Sequence, residues 1–111
     1  MNTNQTEQAP GEWLVIGYGN TLRGDDGVGQ RVAEEIVLLE LPAVQAIARH
    51  QLTPELAEPI SKARAVIFVD AAVDVEGNAV RVTSVAPVAE QQVLAHTTSP
   101  GGLLELARVV F

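Results

Sequence analysis

The 111 residues contain no cysteine. That single absence excludes a disulfide framework, thiolate metal sites, iron–sulfur ligation and cysteine nucleophiles. Any metal must then be met by carboxylate and imidazole alone. Basic residues are scarce, with 7 Lys and Arg against 14 Asp and Glu, so the net charge is −7. The pI is near 4.6 and no Lys/Arg cluster occurs. Nothing here would displace the counterions of a phosphate backbone, so a nucleic-acid partner is not expected. No apolar run approaches the roughly 20 residues needed to span a bilayer. Residues 1–10 lack both a cationic segment and an apolar one, and read as a disordered leader rather than a signal peptide. The expected compartment is the cytoplasm, with residues 11–111 forming one domain.

What is present is a 47% apolar composition, that of a globular chain. Trp13-Leu-Val-Ile16 is a continuous apolar run closed by Gly17, the pattern of a strand buried on both faces. Residues 26–40 carry Val28, Val32, Ile36 and Leu39 at helical spacing, with Gln30, Arg31, Glu34 and Glu35 turned outward. Val44 to Ala48 reads as a second strand. Thr53-Pro54 has the form of an N-cap with proline at the first helical position, and Leu52, Leu56, Ile60 and Ala63 share one apolar face. Pro59 should kink or delay that helix. Ala65-Val-Ile-Phe-Val69 is the clearest candidate for a buried strand, and it ends on Asp70. Alternation from Ala79 to Val85, after Glu76-Gly77-Asn78, predicts an edge strand. Ser99-Pro100 repeats the cap-then-proline signal before a helix over about 100–109, with Leu103, Leu104 and Ala107 inward. The order β-α-β-α-β-β-α predicts a three-layer α/β/α domain with a mixed, mostly parallel sheet.

In such sheets ligands sit at the carboxyl ends of the strands. Three segments there carry chemistry: the loop Gly17-Tyr-Gly-Asn-Thr-Leu-Arg-Gly-Asp-Asp-Gly-Val-Gly29, then Asp70, then His96. A dinucleotide reading of the loop fails on spacing, because Gly17 and Gly19 require a third glycine where Leu22 stands. Asp25 and Asp26 would also repel a pyrophosphate docked at the helix start. One of these two acids suffices to cap the helix, which leaves the other to face the cleft. Asp70 leaves a buried strand at the ligand edge, where a charge needs a partner. With His96 the carboxylates make an oxygen, oxygen, nitrogen set suited to a borderline divalent metal, with coordination positions left open. His50, also at a strand end, reads as a surface histidine or a support to the site. No Gly-x-Ser-x-Gly elbow is present, so serine nucleophile chemistry has no basis.

The opening loop resembles the first motif of the hydrogenase maturation proteases, endopeptidases that trim the C-terminus of nickel–iron hydrogenase large subunits. The likeness continues through His50-Gln-Leu-Thr-Pro-Glu-Leu-Ala-Glu58, Val66-Ile-Phe-Val-Asp-Ala71 and His96-Thr-Thr-Ser-Pro-Gly-Gly-Leu-Leu104. These motifs, in the right order, cover nearly everything from residue 13 onward. The resemblance implies a phosphorylase/hydrolase-like fold in which Asp26, Asp70 and His96 contact metal and carry catalysis. Some relatives have Glu at the position of Asp26, one methylene longer. The metal implied is the nickel already inserted in the precursor, read as a mark of completion, with another divalent metal as a stand-in in vitro and no organic cofactor. Gly17, Gly19, Asn20, Asp25 and His50 would shape the substrate loop. The partner implied is the large-subunit precursor, with no membrane involved.

The resemblance also implies a further strand and helix after the last helix, whereas the sequence stops at Phe111. The expectation is a C-terminally truncated domain, or a homodimer that pairs across an open sheet edge. Two other readings stand beside it: an inactive truncated remnant that binds metal or precursor without cleaving it, and, from the Gly-rich turn between strand and helix, a nucleotide-binding domain.

Overall fold

A computed structural model describes residues 12–19, 27–70, 82–87 and 99–111. The apolar run at the start of the domain forms β1 (Trp13–Tyr18), the middle strand of a three-stranded parallel sheet of order β2-β1-β3. Here β2 is Val44–Arg49 and β3 is Ala65–Val69. Trp13 stands opposite Val44 on one side and Ala65 on the other, and the register runs unbroken to Gly17 against Ala48 and Val69. Parallel neighbours require crossover connections, and α1 (Val28–Leu39) and α2 (Ala57–Lys62) lie in the two crossovers. The last element is α3 (Pro100–Val110). The architecture is therefore α/β with a parallel sheet.

Alternation along β1 divides its neighbours. Leu14 and Ile16 are fully buried in a cluster with Leu52, Leu56, Ala57 and Ile60 from around α2 and with Leu103 and Ala107 of α3. Each of the large side chains in that cluster contributes about 1.5–3 kcal/mol through removal from water. On the intervening positions, a Cβ added at Gly17 would lie 1.8 Å from the Gly29 carbonyl oxygen and 3.0 Å from the Ala33 Cβ, so α1 packs directly on β1. The buried residues of α1 are accordingly Gly29 and Ala33. Val28 and Leu39, expected to face inward, are exposed at 45% and 63%. The helix approaches so closely that small residues, not large apolar ones, fit beneath it.

Local chemistry matches the elements with instructive exceptions. Ser99 caps α3, its Oγ accepting from the Gly102 N–H at 3.0 Å, with Pro100 in the first turn. At Thr53 the cap position is right but the bond is different. Its hydroxyl donates to Glu55 Oε2 at 2.6 Å, and Pro54–Leu56 winds as a single 3₁₀ turn before α2. Pro59 delays rather than kinks, since it is the third residue of α2, where its missing N–H would have had no helical partner. Leu52, Leu56 and Ile60 are buried as expected, and Ala63 packs against them.

Three expectations are corrected. The N-cap of α1 is Gly27, with no side-chain cap, so the helix begins at Val28 rather than at an aspartate. β3 is only partly covered, with Ile67 45% exposed, because β1 and not β3 holds the middle of the sheet. Residues 82–85 do not form the edge strand expected over Ala79 to Val85. They are exposed and without regular structure, Val82 at 88%, so alternation there was not matched by a covered face. Residues 79–81 lie outside the described residues.

Candidate functional site

The three parallel strands end together, and their carboxyl edge forms a row. Tyr18 stands opposite Arg49, so His50 follows on the β2 side. Gly17 opposes Val69, so Tyr18 and Asp70 are the next positions across on the β3 side. Gly19 is the first residue beyond β1. Its N–H donates to the Arg49 carbonyl at 3.2 Å, and its own carbonyl accepts from Gln30 Nε2 at 2.7 Å. The peptide that begins the opening loop is thus held from β2 on one side and from α1 on the other. Gly19 has φ 148°, a conformation that side chains with a Cβ rarely adopt. This is a physical reason for glycine at that position.

The first turn of α1 closes on the same edge. A Cβ at Gly29 would lie 2.4 Å from the carbonyl oxygens of both Tyr18 and Val69 and 2.7 Å from the Tyr18 nitrogen. The start of α1 therefore sits against the ends of both β1 and β3, with its positive dipole end toward them.

Asp70 is exposed at this edge, at the register position beside Tyr18. The Tyr18 ring is half-buried and packs against the central apolar cluster. Burial, then the negative charge of Asp70, push the Tyr18 phenol up to about 12. Both causes favour the neutral phenol. His50 is exposed beyond β2. Two strand spacings separate the ends of β2 and β3, about 10 Å at the backbone.

Of the residues expected to make the site, Gly17, Gly19, His50 and Asp70 are at or beside this edge. Asn20, Asp25, Asp26 and His96 lie outside the described residues, and so does any juxtaposition of Asp26 and His96 with Asp70. Among the described residues no group of three or more His, Asp or Glu side chains is gathered to hold a metal. Ser99, which begins α3 three residues after His96, is described, and α3 packs on the Leu14/Ile16 side of the sheet. None of the helices among the described residues is long and apolar enough to cross a membrane.

Three residues at the edge were not singled out from the sequence. Tyr18 is visible only once strand lengths are compared: with Trp13 opposite Ala65, equal counting puts residue 18 beside 70. Gly29 looks like one more glycine in a glycine-rich loop. Gln30 was expected to point into solvent, and instead fastens the loop. No family model, curated protein or solved structure matches the chain.

Proposed function

We propose that this chain is a maturation endopeptidase that removes the C-terminal extension of a nickel hydrogenase large-subunit precursor, built on a three-layer α/β/α fold with a mixed, mostly parallel sheet. The reading draws on the four motifs in order along the sequence. The observation that carries it in three dimensions is the position of Asp70. It stands exposed at the carboxyl edge of a parallel sheet, next to the end of β1, beyond which Gly19 follows. This is where α/β sheets take their ligands.

In this reading Asp26, Asp70 and His96 dock the nickel carried by the substrate and so bring the nearby scissile peptide to the sheet edge. Two carboxylates and one imidazole suit a borderline divalent ion and leave coordination positions for the precursor's own ligands. Hydrolysis adds water across the amide, leaving a new carboxylate on the large subunit and a free amine on the released tail. Gly17 lets α1 approach, Gly19 turns the chain, and Asn20, Asp25 and His50 border the loop. The enzyme needs no organic cofactor and works in the cytoplasm.

The test is Asp70→Asn. The amide keeps the shape at an exposed position, so the thermal midpoint should stay near that of the parent. Binding of nickel-loaded precursor should fall to the level of nickel-free precursor. Unchanged preference for the loaded form would remove Asp70 from nickel docking and the reading with it.

A further inference from the structure

We infer that the C-terminal end of α1, together with the start of β1, is a docking surface for a basic, apolar segment of a partner protein. The surface lies away from Asp70, so the inference stands apart from the proposed function.

Its place follows from the fold. α1 begins against the ends of β1 and β3, and β2 then starts at Val44 beside Trp13, so α1 ends at the opposite, amino edge of the sheet. Five steps along β1, about 17 Å at roughly 3.3 Å each, separate Trp13 from Tyr18. Large apolar side chains stand in solvent at this edge. Val37, Leu38 and Leu39 close the helix exposed, Leu38 at 74%, and Leu41 is exposed in the turn that follows. Trp13 is half exposed at the end of that turn. Its N–H donates to the Ala43 carbonyl at 3.0 Å, and it shares the face of β1 that carries Gly17, on which α1 lies. The turn itself takes an unfavourable form, with Glu40 at φ 52° and Ala43 at φ 63°, the left-handed region that residues with a Cβ resist.

The charge around these side chains selects the occupant. A helix C-terminus is the negative end of its dipole and favours cations. The last turn of α1 holds no basic residue, and its C-cap is Glu40. Glu34 and Glu35 are exposed one turn before Leu38. Among the described residues none of these three carboxylates has an ion-pair partner, unlike Glu58 with Lys62 and Glu105 with Arg108. Between Val28 and Ala43 only Arg31 offsets them. A second copy would bring the same carboxylates to the interface on a chain of net charge −7, and an anionic membrane would be repelled for the same reason. A segment that seats its own apolar side chains on Trp13, Leu38 and Leu41, with Lys or Arg alongside, covers the apolar surface and answers the negative helix end at once.

Trp13 is the sole tryptophan and stands in the surface, so its emission reports occupancy. The probe is a short amphipathic helical peptide of leucine and lysine only, added to the full chain. The emission should shift to the blue and saturate, and salt should weaken the binding. Leu38→Ser should weaken it roughly ten-fold or more at matched thermal midpoint, the loss expected when one large apolar side chain is no longer buried. Glu34→Gln with Glu35→Gln should weaken it several-fold more than Glu55→Gln with Glu58→Gln, which removes the same charge elsewhere. A peptide of leucine and glutamate should leave Trp13 unmoved. The inference is overturned by an unmoved emission with the lysine peptide, by Leu38→Ser binding as the parent does, by equal effects of the two double substitutions, or by binding of the glutamate peptide. A blue shift that grows with protein concentration alone would overturn it in favour of a second copy, and one produced by phosphatidylcholine vesicles would do so in favour of a lipid surface.

Discussion

At Tyr18 a half-buried phenol is packed against the core at its ring and stands beside the negative charge of Asp70, so ionising it works against both. Its folded-state pKa of about 12 lies above the ordinary value of 10. A group whose pKa rises on folding adds stability that is complete below the unfolded value and is lost as pH climbs toward the folded one. Urea midpoints should therefore decline between pH 10 and about 12, and Asp70→Asn should decline less over that window, since the charge of Asp70 is one of the causes. Equal slopes for the two proteins would mean that burial alone holds the phenol neutral. Gly29 shows the opposite kind of constraint. Alanine in place of glycine favours a helix by up to about 1 kcal/mol. Here its Cβ would lie 2.4 Å from two backbone carbonyl oxygens, neither of which is a flexible side-chain end. Gly29→Ala should lower the thermal midpoint sharply, and a rise would show that α1 can ride away from the strands. Neither residue's role was legible in the sequence. Both depend on which strand end lies beside which, and that is fixed by register.

Elements with a continuous local signal were legible, and those defined by what covers them were not. The β1 run, the Ser99-Pro100 cap and the spacing of Leu52, Leu56 and Ile60 each state their own geometry. Ser99→Ala should cost about 1 kcal/mol through loss of the bond to the Gly102 N–H. Leu103→Ala, at a fully buried position, should cost about 2–5 kcal/mol. Urea denaturation of both variants checks the ranking, and an equal cost would mean that α3 is not anchored through Leu103. Also on α3, Arg108 forms an ion pair with buried Glu105, and its hydrogen bonds hold that carboxyl below its usual range although burial opposes them. For α1 the hydrophobic period pointed to Val28 and Leu39, whereas contact is made through Gly29 and Ala33. A period identifies apolar positions, but a helix lying this close selects for the smallest ones. The run in β3 looked more buried than that in β1, yet the middle place in the sheet went to β1.

At the scale of the whole molecule, sequence order led to the parallel sheet, because strands separated by helical segments pair in parallel through crossovers. It also placed Asp70 and His50 at the ends of strands on one edge. The rest of the proposed constellation, Asp26 and His96, lies in segments whose position no periodicity encodes. The claim that joins them is functional: the edge recognises nickel inside a large-subunit precursor and cuts the tail beside it. It is tested most directly by incubating the full chain with nickel-loaded precursor and with nickel-free precursor, and weighing the products by mass spectrometry. The account predicts release of a short C-terminal peptide from the loaded precursor only. An intact loaded precursor, or equal cleavage of both forms, would contradict it.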